Sequence, residues 1–233
     1  TAQEDRPALV TRIRQGLMLS TASMVPLGAI FVALGTPIVA LVYERGAFDA
    51  QAASLVSGLL MAYGVGMPAY LARDLLVRVF YALGDGTTPF RLSTAGIGLN
   101  VLFDWLLVGG PTPWGPQLPF NFGATGLVLA TVAINLLTCA ALLVGLHSRL
   151  GGLPLQRWAF DGVKVLWAGL AAGFAAWALA TLMQWPQDLL GLLIEVCLSV
   201  ITGLAVFALI SISLGVAEVR ELARELRYRV IPR

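Results

Sequence analysis

Residues 58–72 read "GLLMAYGVGMPAYLA", an uncharged run with no alternation of apolar and polar positions. A membrane β-strand would show a period of two over ~9–11 residues, so this stretch reads as helix. It sits inside a longer apolar span, about residues 51 to 83. At ~1.5 Å per residue such a helix runs some 50 Å, well beyond the ~30 Å of hydrocarbon in a bilayer. It must therefore tilt, kink or project, and Gly64, Gly66 and Pro68 mark the expected bend.

Five further stretches behave in the same way, giving spans at about 17 to 43, 51 to 83, 90 to 108, 122 to 147, 160 to 183 and 189 to 215. The composition agrees: 58% of residues are hydrophobic and 12% charged, against roughly 45–50% and 25% in soluble domains. Mean hydropathy is +0.83. The expected fold class is all-α, a polytopic transmembrane bundle of six spans followed by an amphipathic tail helix. Four segments are predicted: a lead-in at 1–16, a four-span part at 17–148, two further spans at 149–215 and a basic tail at 216–233.

Charge sets the orientation. Every Lys and Arg except Arg45 falls in the N-terminal segment, the tail, or the even-numbered connections and the span ends that flank them. Basic residues gather on the cytoplasmic side of a membrane, so both ends are placed there. The net charge of +2 then reflects topology and gives no reason to expect nucleic acid. In the tail, Val219, Leu222, Leu226 and Val230 form one stripe among arginines, the pattern of a helix lying on anionic lipid. Cys139 and Cys197 lie within spans, where small packing residues are expected rather than a disulfide or metal pair. The chain opens on Thr1 without a signal pattern, which suggests a piece of a longer protein.

Pro26 and Pro37 should bend the first span. The outer loop at 109–123 carries four prolines and no charge, with Trp105 and Trp114 placed as interfacial aromatics. In the fifth span, Gly169 and Gly173, with Ala168, Ala172 and Ala176, form small-residue stripes that let helices approach closely.

The turn "FYALGDGTTPFR" at 80–91 separates the second and third spans. Gly84 suits a left-handed helix end, Asp85 and Gly86 turn the chain, and Thr88 followed by Pro89 reads as N-cap and first helical residue. Arg78 and Arg91 flank the turn, positioned to face Asp85 or lipid phosphates.

Among the remaining polar residues, Glu44 and Arg45 form either a local salt-bridged turn or an outer-gate contact. Arg73 and Asp74 follow the Pro68 bend as either a neutralised pair near the membrane boundary or groups facing a cavity, because an ionisable residue within hydrocarbon needs a partner or water. Glu195 either snorkels to the outer surface or faces a cavity. Asn100, mid-span, is expected to bond to a neighbouring helix, and Asp104 to be wetted at the interface. No phosphate-binding glycine loop, zinc motif or nucleophile elbow is present, so no enzymatic role, cofactor or metal is expected.

The blocks "LVYERGAFDA" at 41–50 and "AYGVGMPAYLARDLLVRVFYALGDGTTPF" at 62–90 resemble the paired signature of the MurJ/MviN family, bacterial lipid II flippases of peptidoglycan synthesis. The Gly66-x-Pro68 pair, Tyr81, Asp85 and the Thr88-Pro89 pair carry it, supported by "GLNVLFDWLLV" at 98–108 and "GATGLVLATVAINLL" at 123–137. Thr87 stands where a basic residue is common in the family. The resemblance implies two pseudo-symmetric bundles around a cavity that opens alternately to either face of the bacterial inner membrane. Family members have fourteen spans, and these six are similar to the last six. The missing N-terminal spans are thus an implied partner, as are membrane lipids and a polyprenyl-pyrophosphate-linked substrate. The resemblance further implies that the last two spans border a groove for the lipid tail. Export of another polyprenyl-linked saccharide or a drug, and a non-transporting membrane scaffold, stand as alternatives.

Overall fold

The computed structural model describes residues 6–43, 50–109, 120–183, 185–186 and 188–220. Six helices are described: α1 (Arg6–Tyr43), α2 (Ala50–Ala82), α3 (Thr87–Val108), α4 (Ala124–Arg149), α5 (Leu155–Leu182) and α6 (Leu189–Ser213). Each is long and apolar enough to cross a bilayer. Large apolar side chains stay exposed, among them Phe90, Ile97, Val101, Phe160, Trp167 and Phe174. In water such faces would be a liability, whereas lipid solvates them and asks only that the backbone be satisfied internally.

α1 is helical from Arg6 onward. The bend expected in the first span is present, since Leu34 leaves helical geometry at φ −114° and ψ 16°, whereas α2 continues as one helix through Pro68. Pro37 explains the first case, because its ring clashes with the carbonyl of Ala33 and it donates no hydrogen bond there. In α2 the bend expected at Gly64, Gly66 and Pro68 does not become a break. Gly66 instead serves close packing, as a β-carbon there would collide with Val132 of α4.

The chain divides at the Leu34 break. One compact unit comprises residues 1–34 and 154–233, the other residues 35–153. This division assigns the first part of α1 to the unit of α5 and α6.

In the first unit, α5 packs along α6, and Ala22 and Val25 of α1 join Val165, Ala168, Ala172 and Phe207 in one core. A β-carbon on Gly169 would run into Val25, and one on Gly173 would sit 3.1 Å from the Ala29 carbonyl oxygen. The small-residue stripe of α5 is thus spent on packing within the chain. Val216 and Val219, beyond α6, close the same core. Of the predicted tail helix, 217–220 is described and helical, and 221–233 lies outside the described residues.

Charges fasten one end of this unit. Arg14 donates to Asp161 at 2.7 Å and to Glu218 at 3.1 Å, and Lys164 reaches Asp161 at 3.1 Å. Arg220 donates twice to the Ile212 carbonyl, at 3.1 and 2.9 Å, satisfying a backbone acceptor that the end of α6 leaves open.

In the second unit α4 is the central helix. α2 and α3 each pack along it and scarcely touch one another. Gly126 brings α4 against α3 so closely that a β-carbon would lie 2.5 Å from the Leu107 carbonyl oxygen. Further along, the two outer helices separate and leave a cavity on α4.

Candidate functional site

The turn between α2 and α3 is built from backbone and carboxylate bonds. Gly84 sits at φ +75°, a conformation glycine adopts without a side-chain penalty. This lets the Asp85 amide bond the Phe80 carbonyl at 2.9 Å and the Gly84 amide bond that of Tyr81 at 3.0 Å, the two bonds of a Schellman helix end. The exposed ring of Tyr81 lies over Gly86.

Gly86 holds the N-cap position of α3, and the carboxylate that takes up the first helical amides is that of Asp85 just before it, not the hydroxyl of Thr88. Asp85 Oδ1 accepts from the amides of Thr87 and Thr88, each at 3.0 Å, and from the Thr87 hydroxyl at 2.9 Å. Its Oδ2 accepts from the Thr88 hydroxyl at 2.6 Å and pairs with Arg149 at 3.2 Å. The reading of Thr88 as N-cap and Pro89 as first helical residue is therefore corrected: α3 begins at Thr87, and the Thr88 hydroxyl donates rather than caps. An ionised carboxylate outcompetes a hydroxyl for the orphan amides of a helix start. Pro89 falls where a missing N–H costs nothing.

Arg78 and Arg91 are exposed and neither bonds Asp85. The cation that does so, Arg149, comes from the end of α4, distant in sequence. The Thr88 hydroxyl and amide, then Thr87 and the charge of Arg149, hold the Asp85 carboxyl far below the usual carboxylate range.

A cavity of about 390 Å³ opens between α2 and α3 on the face of α4. Its polar lining comprises Arg73 of α2, Ser93 and Asn100 of α3, and Thr131, Asn135 and Thr138 of α4. The α4 residues recur at positions i, i+4 and i+7, which share one helix face. Arg73 Nη1 donates to Asn135 Oδ1 at 2.9 Å, and Asn135 Nδ2 donates to the Thr131 carbonyl at 2.7 Å. Both ends of the Asn135 amide are thereby committed, and the residue is only 4% exposed. The Tyr70 hydroxyl, outside the lining, is buried without a hydrogen-bond partner among the described residues.

Asn135 stands close to the middle of α4, so the guanidinium it holds lies well inside the helical span. A cation there is costly unless it faces a partner or a cavity. Here it has a neutral amide as partner, and no Asp or Glu is among the lining residues. Of the two readings of Arg73 and Asp74, the cavity describes Arg73. Asp74 is exposed, with no ion-pair partner among the described residues.

Asn100 lines the same cavity but does not cross to another helix. Its Nδ2 donates to Asp104 Oδ2, one turn along α3, at 2.7 Å. The expected interhelical bond is thus replaced by a local one. Asp104 is half-buried, with its Oδ1 lacking a partner among the described residues. Glu195 is half-buried on α6, and Glu44 and Arg45 lie outside the described residues.

Sequence reading missed Asn135, Thr131, Thr138 and Ser93. Their signal is present, a polar stripe at helical spacing within the apolar run of α4, yet mid-helix Thr and Ser commonly bond their own backbone. Thr131 does so to Leu127 at 3.0 Å. It also missed the Arg14, Asp161 and Glu218 cluster, whose members are far apart in the chain.

The family model described as "Lipid II flippase MurJ" matches residues 1–196. A "Probable lipid II flippase MurJ" of Synechocystis sp. is 46% identical over 216 residues, covering 92% of this chain and 38% of the relative. A protein of the same description from Rickettsia prowazekii is 33% identical over 96 residues, 41% of this chain and 18% of its own length. A solved structure, "Lipid II flippase MurJ, inward closed conformation", superposes with a TM-score of 0.68 at 21% identity, covering 91% of this chain and 41% of that one. That likeness concerns the fold. The chain spans well under half the length of these relatives, and with six membrane helices and a family match over most of its residues, it belongs to the MurJ family of multi-pass membrane proteins.

Proposed function

We propose that this chain forms the carboxy-terminal part of a transporter that moves lipid II from the inner to the outer leaflet of the bacterial inner membrane. The remaining spans of the family are its partners in that activity. Lipid II joins a pyrophosphate and sugar-peptide head to a polyprenyl tail, and such a head does not cross hydrocarbon unaided. A polar cavity shelters it while the tail stays in lipid, and the two bundles rock to open the cavity to each face in turn. On this reading both ends of the chain are cytoplasmic, and α5 and α6 border the path of the tail.

The observation that carries the proposal is the cavity in the second unit, with Arg73 in its wall and no carboxylate in its lining. A scaffold that only binds partners has no use for a cation at mid-membrane depth, whereas a carrier of pyrophosphate does. Family membership supplies the substrate class.

The full-length protein, expressed in cells depleted of their own lipid II flippase, is expected to restore growth. A protein that reaches the membrane at normal abundance and leaves the cells unable to grow would point instead to an exporter of another lipid-linked saccharide.

A further inference from the structure

We propose that His147, at the end of α4, is a proton-operated clasp on the connector between the two units: neutral, its ring holds the connector closed, and protonated, it lets the connector open. The inference goes beyond the transport reading and does not depend on what the protein carries.

The connector is short. α4 ends at Arg149 and α5 begins at Leu155, and the chain passes from one unit to the other between Leu153 and Pro154. Gly151 at φ +59° and Gly152 at φ +114° curl it back on the helix end. The Leu150 amide thereby bonds the Leu146 carbonyl and the Gly152 amide the His147 carbonyl, each at 2.9 Å. The Leu153 amide finds its acceptor in a side chain instead, donating to His147 Nδ1 at 2.9 Å. Leu153 is buried, so water is not at hand to replace that acceptor, and an orphaned backbone N–H there is costly.

A ring nitrogen that accepts a hydrogen bond carries no proton, so the neutral ring holds its proton on Nε2. A second proton goes to Nδ1, which turns from acceptor into donor and faces the Leu153 N–H. Proton uptake and the clasp exclude each other. The contact is therefore present at high pH and lost as pH falls, and histidine is the side chain that ordinarily changes charge between pH 5 and 8.

The helices packed on α4 are α2 and α3. At this end they bring Arg78, Arg91 and, in the turn between them, Asp85; Arg149 lies on α4 itself and Arg157 near the start of α5. The one carboxylate of this set, Asp85, is engaged by Arg149 and by Thr87 and Thr88. None of these groups bonds the imidazole, whose partner among the described residues is the Leu153 amide. The end of α4 thus carries two contacts two residues apart. The Asp85 carboxyl is held far below the usual range, so its contact persists through the window in which an imidazole titrates. It serves as a control inside the molecule.

The test is residue-resolved hydrogen–deuterium exchange on the full-length protein in lipid nanodiscs at pH 8 and pH 5, with protection factors corrected for the intrinsic pH dependence of exchange. Protection at Leu153 is expected to fall about tenfold or more between the two, the scale of one hydrogen bond, while Thr87 and Thr88 keep theirs. His147→Asn places an oxygen acceptor near the position of Nδ1 and does not titrate. It is expected to protect Leu153 equally at both pH values. His147→Phe removes the acceptor and should leave Leu153 weakly protected throughout, with Thr87 and Thr88 reporting that the fold survives.

Equal wild-type protection of Leu153 at pH 8 and pH 5 overturns the clasp. So does a fall that persists undiminished in His147→Asn, which assigns the titration to another group, or one shared by Thr87 and Thr88, which reports general acid unfolding. A His147→Phe protein that protects Leu153 like the wild type at pH 8 overturns it as well.

Discussion

Arg14 and Arg73 are both arginines set in membrane helices, and the two units treat them in opposite ways. Arg14 meets two carboxylates, Asp161 at 2.7 Å and Glu218 at 3.1 Å, with Lys164 sharing the first. Arg73 meets a neutral amide. Around Arg14 the unit is close-packed, with glycine and alanine stripes drawing α1, α5 and α6 together. Around Arg73 the helices part and leave about 390 Å³. A charge whose partners cancel it fastens structure, whereas a charge held in place and left uncancelled is free to meet a ligand.

Substitutions can break this contrast. The largest effect on stability is expected from Gly169→Leu, which drives a side chain into Val25. Overpacking of this kind costs about 1–3 kcal/mol or more, and thermal unfolding monitored by domain-specific probes should show the first unit melting early. An equal loss in both units would mean that the contact is not local.

Next comes the exchange of roles between the two arginines. Arg73→Gln is expected to lower lipid II translocation about tenfold or more while leaving the thermal midpoint unchanged or higher, because it removes a half-buried charge that no carboxylate offsets. Arg14→Gln should do the reverse, costing about 1–2 kcal/mol of stability with translocation per folded molecule intact. The estimate is modest because the pair is partly exposed. Adding Glu218→Gln to Arg14→Gln should restore part of that loss, a coupling that a double-mutant cycle measures directly. If Arg73→Gln destabilised and Arg14→Gln did not, the assignment of roles would be inverted.

The smallest effect concerns the turn. The folded-state pKa of Asp85 is depressed, so its contribution is complete above the ordinary carboxylate range, near pH 4, and is lost as pH falls through the lower folded value. Amide exchange protection at Thr87 and Thr88 is therefore expected to hold from pH 7 down to about 4 and to decline below it. Protection lost between pH 6 and 5 would identify some other group as the cap. Asp85→Asn should weaken the protection at neutral pH and loosen the end of α4 through Arg149.

The turn also shows where sequence reading succeeds and fails. Gly84 and the helix ends around it follow from local chemistry, since a left-handed glycine after an apolar helix has few other uses. The partner of Asp85 does not follow. Arg78 and Arg91 are near in sequence and equal in charge, yet Arg149 holds the contact because α4 ends beside the turn. Asn100 teaches the same point from the other side: a mid-span amide expected to bridge helices instead bonds Asp104 within its own.

What the sequence determined by itself is the solvent and the number of spans, because hydrocarbon imposes a minimum length and an apolar composition on any helix that crosses it. The family was also legible, in short motifs whose residues lie close together in the chain. Only the tertiary structure decided which helix faces meet: that the chain divides at Leu34, that Asn135 brackets Arg73, and that Arg14 finds Asp161 and Glu218. The physical reason is that lipid accepts any apolar face, so hydrophobicity does not choose between neighbours. That choice falls to the few glycines that admit a close approach and the few polar groups that need a partner.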